Sequence, residues 1–359
     1  MNPELNSTHY GTGLISRQRE PVNLESPFDQ LDSFLTPNEI FYIRSHFKAP
    51  ALDGTAHTLR IGGEVKNAFV IGLKELRQMP AKTIPATLEC AGNGRVYLTP
   101  AVEGAQWELG AVGTAEWTGV PLSDLLERAQ LNERVCELVF EGADRGKPAI
   151  TPLPPGDIAY ARSVPLAEKD KVLIAYLMNG EELTVDHGYP LRAIVPGHYG
   201  MASVKWLTNI LAVSMPFQGY WQTVDYGYWA EENGLPVRRP LDRLSLKSSI
   251  ARPRVREVVK AGGTYTVFGA AWSGDSDVSQ VDVTVDGGAS WAPAELLDAA
   301  QPGAWRRWKY EWQVPTKPGC HCLMSRARNA AGQTQPAEHD HRFGTYIINH
   351  IIPVEVLVK

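Results

Sequence analysis

The residue with the most distinctive chemical surroundings is Cys90, in the segment TLECAGNGR. It ends an apolar, strand-like run and precedes a Gly-Asn-Gly turn, where the absence of side chains lets the backbone approach a ligand closely. Arg95 lies just beyond this turn, and a guanidinium near a thiol favours the thiolate, which acts as a nucleophile or as a soft metal ligand. The residues alone leave three interpretations of Cys90 open: a reactive thiol, a metal thiolate, or a small buried hydrophobic residue.

Two further segments place basic side chains among glycine, proline and aromatic residues, which is typical of loops that build a binding site. FYIRSHFKAP (41–50) contributes Arg44 and His46. DHGYPLRAIVPGHYGMASVKW (186–206) contributes four more basic side chains: His187, Arg192, His198 and Lys205. Each alone would be explained as a solvated charge beside a hairpin. Together with Cys90 they predict a site for an anionic cofactor that carries a soft-liganded metal, and no GxGxxG or GxxxxGK[ST] loop indicates a nucleotide instead.

These three segments resemble the sulfite oxidase family of molybdenum enzymes, whose signature includes a TL-x-CAGN core. The CAGN segment and the later HG-[YF]-P-x-R…VKW segment both occur here, in the family's order. The similarity covers most of the chain, because the part after about residue 241 resembles the family's dimerisation domain. The chain is thereby identified as a member of that family, of the bacterial type that has no haem domain.

The resemblance implies a molybdopterin, the molybdenum cofactor, with Cys90 as the protein's ligand to the metal. Matched position by position, the family pattern implies these cofactor-binding residues: Tyr42, Ile43, Arg44, Ser45, His46, Cys90, Asp144, His187, Arg192, Ser203, Val204 and Lys205. Asp144 on its own would be interpreted as a turn residue, and it is assigned only because FEGADRG matches an acidic pterin contact.

The resemblance also implies a pocket for a small oxyanion beside the metal. Arg44 and Arg95 match two arginines that bind the anion, since guanidinium groups pair with oxyanions through charge-assisted hydrogen bonds. Trp107 matches a wall of that pocket, and Tyr226 matches an active-site tyrosine. With Cys90, these are the predicted catalytic residues.

Two departures from the animal members of the family reduce the expected positive charge of this pocket. Gly94 stands where those enzymes have a second arginine next to Arg95. The vertebrate members supply a further pocket arginine from their C-terminal part. Near the matching position this chain has only Arg342, which lies close to it without aligning residue for residue. Both differences bear on the affinity for sulfite.

The activity that the resemblance implies is a two-electron oxygen-atom transfer that oxidises sulfite to sulfate. No CxxCH haem-attachment motif is present, so we expect a separate one-electron acceptor such as a cytochrome. We also expect a homodimer formed through the C-terminal part. Two alternatives remain: an oxo-transferase acting on nitrate, a sulfoxide or a carrier-bound sulfur compound, and a non-enzymatic binding protein.

The elements that must position these residues form two predicted domains of an α+β protein. Residues 1–240 are predicted to form a mixed α/β molybdopterin-binding domain, and residues 241–359 an all-β, immunoglobulin-like sandwich. TGVPLSDLLERAQL (118–131) predicts an amphipathic helix, and KVLIAYLMNGEEL predicts a strand that enters an Asn-Gly turn and pairs with YPLRAIVP. Alternating residues in QVDVTVDGGASW and WKYEWQV predict strands, and RLSLKSSIARPRV is the predicted linker between the domains.

Composition excludes several classes of protein. Hydrophobic residues make up 43% and charged residues 21%, and the net charge of −5 gives no reason to expect nucleic-acid binding. No apolar run approaches the ~20 residues that cross a bilayer, and the N-terminal segment lacks a secretory or twin-arginine signal, so we expect a cytoplasmic protein with no membrane partner. Cys136 is predicted to be a buried strand residue. Strand geometry would separate Cys320 and Cys322 from His321, which argues against a zinc site there.

Overall fold

The computed structural model describes residues 13–359. Residues 1–12, the first part of the segment in which no export signal is predicted, lie outside the described residues. Among the residues described, no helix combines the length and the apolar character that a membrane span requires. The described chain is built mostly of strands, with two short α-helices, α1 (Leu73–Leu76) and α2 (Leu122–Ala129).

The first part of the described chain contains fifteen strands: β1 (Ile15–Gln18), β2 (Asn23–Glu25), β3 (Ile43–Arg44), β4 (Thr58–Gly63), β5 (Phe69–Gly72), β6 (Lys82–Glu89), β7 (Val112–Pro121), β8 (Glu137–Gly146), β9 (Ile158–Pro165), β10 (Leu173–Met178), β11 (Glu181–Glu182), β12 (Arg192–Ile194), β13 (Leu207–Val213), β14 (Gly227–Glu232) and β15 (Leu235–Pro240).

Two five-stranded sheets form the body of this part. One has the order β11-β10-β7-β6, with β12 also paired to β10, and the other has the order β5-β4-β13-β8-β9. Their pairings are antiparallel except that between β4 and β13. A small sheet, β1-β2-β3, and the β14-β15 hairpin complete it. Because β6 ends at Glu89, the sheet places Cys90 at the beginning of the following loop.

The elements predicted in this part are confirmed in outline. β10 enters the turn at Asn179 and Gly180, pairs with β11 across it, and also pairs with β12 inside YPLRAIVP. The segment 118–131 differs from its prediction, because β7 continues to Pro121 and only α2 is helical. Its first residues pair with both β6 and β10 in the middle of a sheet. The helix begins just after Pro121, which suits a helix start because its missing N–H is not needed there.

The C-terminal part contains nine strands: β16 (Lys247–Arg252), β17 (Val258–Val259), β18 (Thr264–Trp272), β19 (Val278–Thr284), β20 (Ala292–Pro293), β21 (Glu295–Leu296), β22 (Arg306–Gln313), β23 (Gly319–Asn329) and β24 (Val354–Val358). They form two sheets, β16-β18-β22-β21 and β17-β24-β23-β19-β20, that share one apolar core. Trp308 and Trp312 of β22 and Val281 and Val283 of β19 are buried in this core, as the alternating patterns predict.

Two predictions for individual segments are wrong. The predicted linker contains β16, which pairs with β18 inside the C-terminal sheet. Lys247 and Ser248 of β16 are buried and polar, so a hydrophobic pattern could not reveal the strand. Cys136 is exposed and precedes β8 instead of lying buried within a strand. Its backbone N–H donates to the carbonyl of Val213 at the end of the neighbouring strand β13.

The largest apolar core joins the two parts of the chain. It includes Trp221 from the first part together with Trp272 and Trp305 from the second. The C-terminal part therefore packs directly against the elements that carry the basic segments, and its residues can reach the loop after β6.

Candidate functional site

A cavity lies where the three chemically distinctive segments meet. Twelve of the residues singled out in the sequence line it: Tyr42, Arg44, Ser45, His46, Cys90, Asp144, His187, Arg192, Ser203, Val204, Lys205 and Tyr226. The fold thus brings together side chains from positions far apart in the chain.

Cys90 is buried but faces this cavity. Its backbone is fixed on both sides, because its N–H donates to the carbonyl of Ala111 at 2.9 Å and its carbonyl accepts from the N–H of Asn93 at 2.9 Å. A residue from the C-terminal part also reaches this loop, since the N–H of Ile347 donates to the carbonyl of Ala91 at 2.8 Å. The thiol is therefore presented to the cavity from a rigid turn.

Arg192 is buried in the cavity wall, and in the described chain no carboxylate lies within ion-pair distance of it. Its Nη1 and Nη2 donate to the carbonyls of His187 (2.9 Å) and Ser203 (3.1 Å), and its guanidinium lies 4.8 Å from the ring of Trp117. The Nε–H of Arg192 is buried and has no hydrogen-bond partner. Burial lowers the pKa of Arg192 to about 10, which shows how poorly its charge is compensated.

Lys205 is a second cation in the same wall and is half-buried. Its Nζ donates to the hydroxyl of Ser45 at 2.9 Å and to the carbonyl of Asp186 at 2.8 Å. Burial, with help from the charge of Arg192, lowers the pKa of Lys205 to about 7. Asp144 opposes this shift, but burial raises the pKa of that carboxyl to about 6, and its Oδ1 has no hydrogen-bond partner.

The two histidines of the cavity are neutral. Burial lowers the pKa of His187 to about 3, and the nearby charge of Arg192 acts in the same direction. Burial also places the pKa of His46 well below its ordinary value, assisted by Arg44. The Nε2 of His46 shares a hydrogen bond of 2.6 Å with the hydroxyl of Tyr226. Burial raises the pKa of Tyr226, so its hydroxyl remains protonated at neutral pH.

Five of the candidate site residues noted in the sequence lie outside this lining. His198 is buried, and its Nδ1 bonds to the carbonyl of Pro196 at 3.3 Å. The side chain of Ile43 packs in an apolar cluster with Leu14 and Leu24. The buried guanidinium of Arg95 donates to Thr345 Oγ1 (2.7 Å) and to the carbonyl of Ala105. Trp107 is fully buried beside the Cys90 cluster, and its indole N–H has no partner. Arg342 pairs with Asp340 on the surface and does not approach the cavity.

The structure adds residues that sequence reasoning did not single out. Tyr160, Asp186 and Trp206 also line the cavity. Asp186 and Trp206 are the first and last residues of the basic segment 186–206, so their place in the cavity could have been predicted from that segment. No motif near Tyr160 predicts that it lines the cavity. The hydroxyl of Tyr346 donates to Asp225 at 2.5 Å, and its ring lies 5.0 Å from that of Tyr226.

The donor set of the cavity fits an anionic pterin cofactor with a soft-liganded metal. Arg192 and Lys205 supply positive charge in the cavity wall, and the free Nε–H of the buried Arg192 is an unused donor for a phosphate. The unpartnered Oδ1 of Asp144 is an acceptor suited to the N–H groups of a pterin. Cys90 supplies a thiol that suits a soft metal.

Comparison with known proteins agrees with this chemistry. Residues 46–221 match the oxidoreductase molybdopterin binding domain, and residues 238–354 match the Mo-co oxidoreductase dimerisation domain. The chain is 36% identical to sulfite oxidase of Gallus gallus over 90% of this chain and 73% of that protein. It is also 36% identical to mitochondrial sulfite oxidase of Homo sapiens, over 84% of this chain but 57% of that protein.

A solved structure gives the same result for the fold. The crystal structure of the sulfane dehydrogenase SoxCD from Paracoccus pantotrophus matches with a TM-score of 0.81 and 28% sequence identity, covering 94% of this chain and 84% of that one. The mostly β architecture with few helices is thus the fold of this molybdenum oxidoreductase. The chain belongs to the sulfite oxidase family and is a molybdopterin-dependent oxidoreductase.

Proposed function

We propose that the protein oxidises sulfite to sulfate at a molybdenum centre held by Cys90. The observation that supports this most directly is the cavity itself, in which a single thiol lies near the buried guanidinium of Arg192, whose Nε–H has no partner, and near Lys205. When bound, the cofactor supplies the two-electron oxygen-atom transfer, and the protein supplies orientation and electrostatics.

The cofactor is held, in this proposal, by the residues around the thiol. Arg192 and Lys205 bind its phosphate, because their charges are otherwise uncompensated. His187, as a neutral imidazole, can donate or accept a hydrogen bond without adding charge. Asp144 accepts from the pterin through the oxygen that has no partner in the protein. Tyr42, Ser45 and Val204 complete the walls, and Ile43 and Ser203 contribute through their backbones.

Substrate is oriented by Arg44 and Tyr226, which line the cavity. The Nη1 of Arg44 makes one bond of 3.3 Å to Asn23 and one to the adjacent carbonyl of Ser45, so donors remain for an oxyanion. The hydroxyl of Tyr226 is held by His46, which fixes the direction of its proton. Arg95 and Trp107 do not line the cavity. In this proposal they support its wall from behind and do not contact the substrate.

A second candidate is oxidation of a sulfane sulfur, the chemistry named for the matching SoxCD structure. The specific observation that favours it is the position of Arg95, whose guanidinium is engaged by Thr345 and Ala105. Arg44 is then the one predicted anion-binding arginine that faces the cavity among the described residues. A pocket with less guanidinium suits a free dianion less well.

We further propose a homodimer through the C-terminal part, which is immunoglobulin-like, with the domain boundary at residues 240 and 241. The match to a dimerisation domain supports the dimer, and the two sheets around one core support the sandwich. Electrons pass to a separate carrier such as a cytochrome. A cytoplasmic location remains a prediction from the sequence.

The deciding experiment measures molybdenum and pterin per chain in protein from a molybdenum-replete host. Sulfite and an organic persulfide are then compared as electron donors to an oxidised one-electron dye, and nitrate and methionine sulfoxide as oxidants of the reduced dye. Stoichiometric metal with reduction by sulfite supports the first candidate, and a clear preference for the persulfide supports the second. Protein that contains neither metal nor pterin would contradict both.

A further inference from the structure

The carboxylate next to the thiol is held by an unusual set of donors. Glu89, which immediately precedes Cys90, is fully buried and receives three hydrogen bonds. Lys247 Nζ donates to its Oε1 at 3.0 Å, Asn93 Nδ2 donates to the same oxygen at 3.0 Å, and Trp272 Nε1 donates to its Oε2 at 2.8 Å. Both carboxylate oxygens are therefore fixed in place.

Two of these donors come from the C-terminal part of the chain. Lys247 lies on β16 and Trp272 on the adjacent strand β18, where the two residues are register partners. Lys247 is 1% exposed, and its Nζ also donates to the carbonyl of Asn93 at 3.0 Å. One ammonium group thus bridges the residue before Cys90 and the residue that closes the turn after it.

The same turn is fixed from its other side. Asn93 Oδ1 accepts from the N–H of Ala111 at 3.0 Å, and the carbonyl of Ala111 accepts from the N–H of Cys90. The turn therefore has three anchors: the carboxylate of Glu89, the amide of Asn93 and the backbone of Cys90. With the backbone fixed, the direction of the Cys90 Sγ is set by rotation about the Cα–Cβ bond alone.

A buried ion pair is a costly way to hold a loop, because both charges lose their hydration. A neutral pair of similar volume would give comparable or greater stability. What the pair adds is directional geometry: the ammonium has three donors, and two of them fix two separate points of the turn. Groups that orient a metal ligand from outside the coordination sphere have this character.

We infer that Lys247 and Trp272 are positioning residues for the Cys90 thiolate, so that the C-terminal part sets the geometry of the metal centre through Glu89. This inference rests on the proposed role of Cys90 as the metal ligand. It assigns to β16 and β18 a function at the metal centre in addition to their place in the C-terminal sheets. The effect is on the ligand's geometry and not on the net charge of the site, since Glu89 and Lys247 neutralise each other.

The test compares the cofactor-loaded wild type with the double variant Glu89→Gln/Lys247→Met, which removes both charges and preserves volume. We expect the double variant to fold and to keep molybdenum and pterin. Its kcat should fall by about 10–100-fold, as for other groups that support metal ligands. The electron paramagnetic resonance spectrum of the half-reduced metal should shift as well, because this spectrum reports ligand geometry. An unchanged spectrum with unchanged kcat would overturn the inference.

A matched control removes an ion pair of the C-terminal part that does not contact the Cys90 turn. Arg307 of β22 pairs with Asp298 at 2.8 Å, and Arg307→Met should lower stability while leaving the spectrum unchanged. An equal spectral shift in Arg307→Met would mean general loosening and would also overturn the inference. If the double variant does not fold, Trp272→Phe keeps the ion pair and removes one hydrogen bond. It should give a smaller spectral shift, and no shift at all would count against the inference.

The failure of the proposed function can be told apart from the failure of this inference. X-ray absorption counts the sulfur ligands of the metal in the wild type and in Cys90→Ser. If the two counts are equal, Cys90 is not a ligand and the proposed function fails. If they differ by one but the double variant is spectroscopically normal, only the positioning role fails.

Discussion

Lys205 is half-buried and Lys247 is fully buried, and the surroundings of the two lysines differ. Lys247 meets the carboxylate of Glu89 at 3.0 Å, whereas Lys205 meets only a hydroxyl and a carbonyl. Burial of Lys205 lowers its pKa to about 7, which indicates a charge that the protein does not compensate. A fold rarely keeps such a charge for its own stability. This difference fits the proposal that Lys205 binds an anionic ligand, whereas Lys247 holds the turn that carries Cys90.

The largest expected effect concerns the thiol that lies between these two environments. Cys90→Ser should abolish turnover while the fold is retained, because a hydroxyl is a poor ligand for a soft metal. Turnover with sulfite measures the loss of activity, and circular dichroism measures whether the fold is retained. Cys136→Ser, at an exposed position outside the cavity, is the matched control and should leave activity unchanged. Activity in Cys90→Ser near the wild-type value would refute the assignment.

Substituting each lysine with methionine tests directly whether the two lysines contribute to stability with opposite signs. In protein made without cofactor, Lys247→Met should lower the free energy of unfolding by about 3–5 kcal/mol, because it leaves Glu89 buried and unpaired. Lys205→Met should raise it by about 1 kcal/mol, since it removes an uncompensated charge. Urea unfolding measures both values. In cofactor-replete cells Lys205→Met should instead reduce the pterin content per chain. Equal signs for the two variants in the cofactor-free protein would remove the distinction.

The arginines provide a second pair with contrasting surroundings. Arg44→Lys should raise the KM for sulfite about 10–100-fold, because charged hydrogen bonds to an oxyanion contribute about 1.5–3 kcal/mol. Arg95→Lys should change KM less and lower the melting temperature more, since Arg95 binds Thr345 and Ala105. Steady-state kinetics and thermal unfolding of both variants check this. If the KM for sulfite rose more in Arg95→Lys than in Arg44→Lys, the anion would bind nearer to Arg95 than to Arg44.

A smaller effect is expected at the tyrosine. Tyr226→Phe removes the hydroxyl that bonds to His46 at 2.6 Å but keeps the ring against Tyr346. One neutral hydrogen bond is worth about 1 kcal/mol, so kcat/KM should fall about fivefold. Tyr346→Phe, which loses a bond to Asp225 outside the cavity lining, is the comparison variant and should change kcat/KM less.

A last expected effect is on the pH dependence of stability in the cofactor-free protein. Lys205 has a folded pKa of about 7 against 10.5 ordinarily. Between these values the unfolded chain binds more protons, so stability should rise with pH across this window. Lys205→Met should remove that part of the slope. Asp144, with a folded pKa of about 6, gives the opposite slope between about pH 4 and 6. Urea midpoints measured from pH 5 to 10 would show both.

Much of the site could be predicted from the sequence because its chemistry lies in short contiguous segments. Cys90 with its turn, and the basic stretch from Asp186 to Trp206, are local patterns, and most of their side chains meet in the cavity. The sequence does not predict which way the side chain of Arg95 points, because that depends on a hydrogen bond to Thr345, far away in the chain. Tyr160 and the Tyr346–Asp225 bond depend wholly on tertiary packing.

The sequence predicts the fold correctly where apolar residues alternate along a strand. The prediction fails where polar residues are buried. The strands around Trp308 and Val283 follow a simple alternation. β16 does not, since Lys247 and Ser248 are buried by specific partners that the sequence does not reveal. Residues 118–121 are included in the predicted helix because leucines at helical spacing follow them, but they pair on both sides within a sheet, and that pairing decides their conformation. Tertiary context outweighed local pattern there.

The hydrogen bond from Ile347 to the carbonyl of Ala91 has a consequence for biosynthesis. The turn that carries the thiol is completed by residues that the ribosome makes long after the turn itself. The metal-binding pocket cannot reach its final form on a nascent chain that lacks this late segment. We therefore expect the prosthetic group to be loaded after the chain is complete, and truncation before Ile347 should yield a chain that does not take up molybdenum.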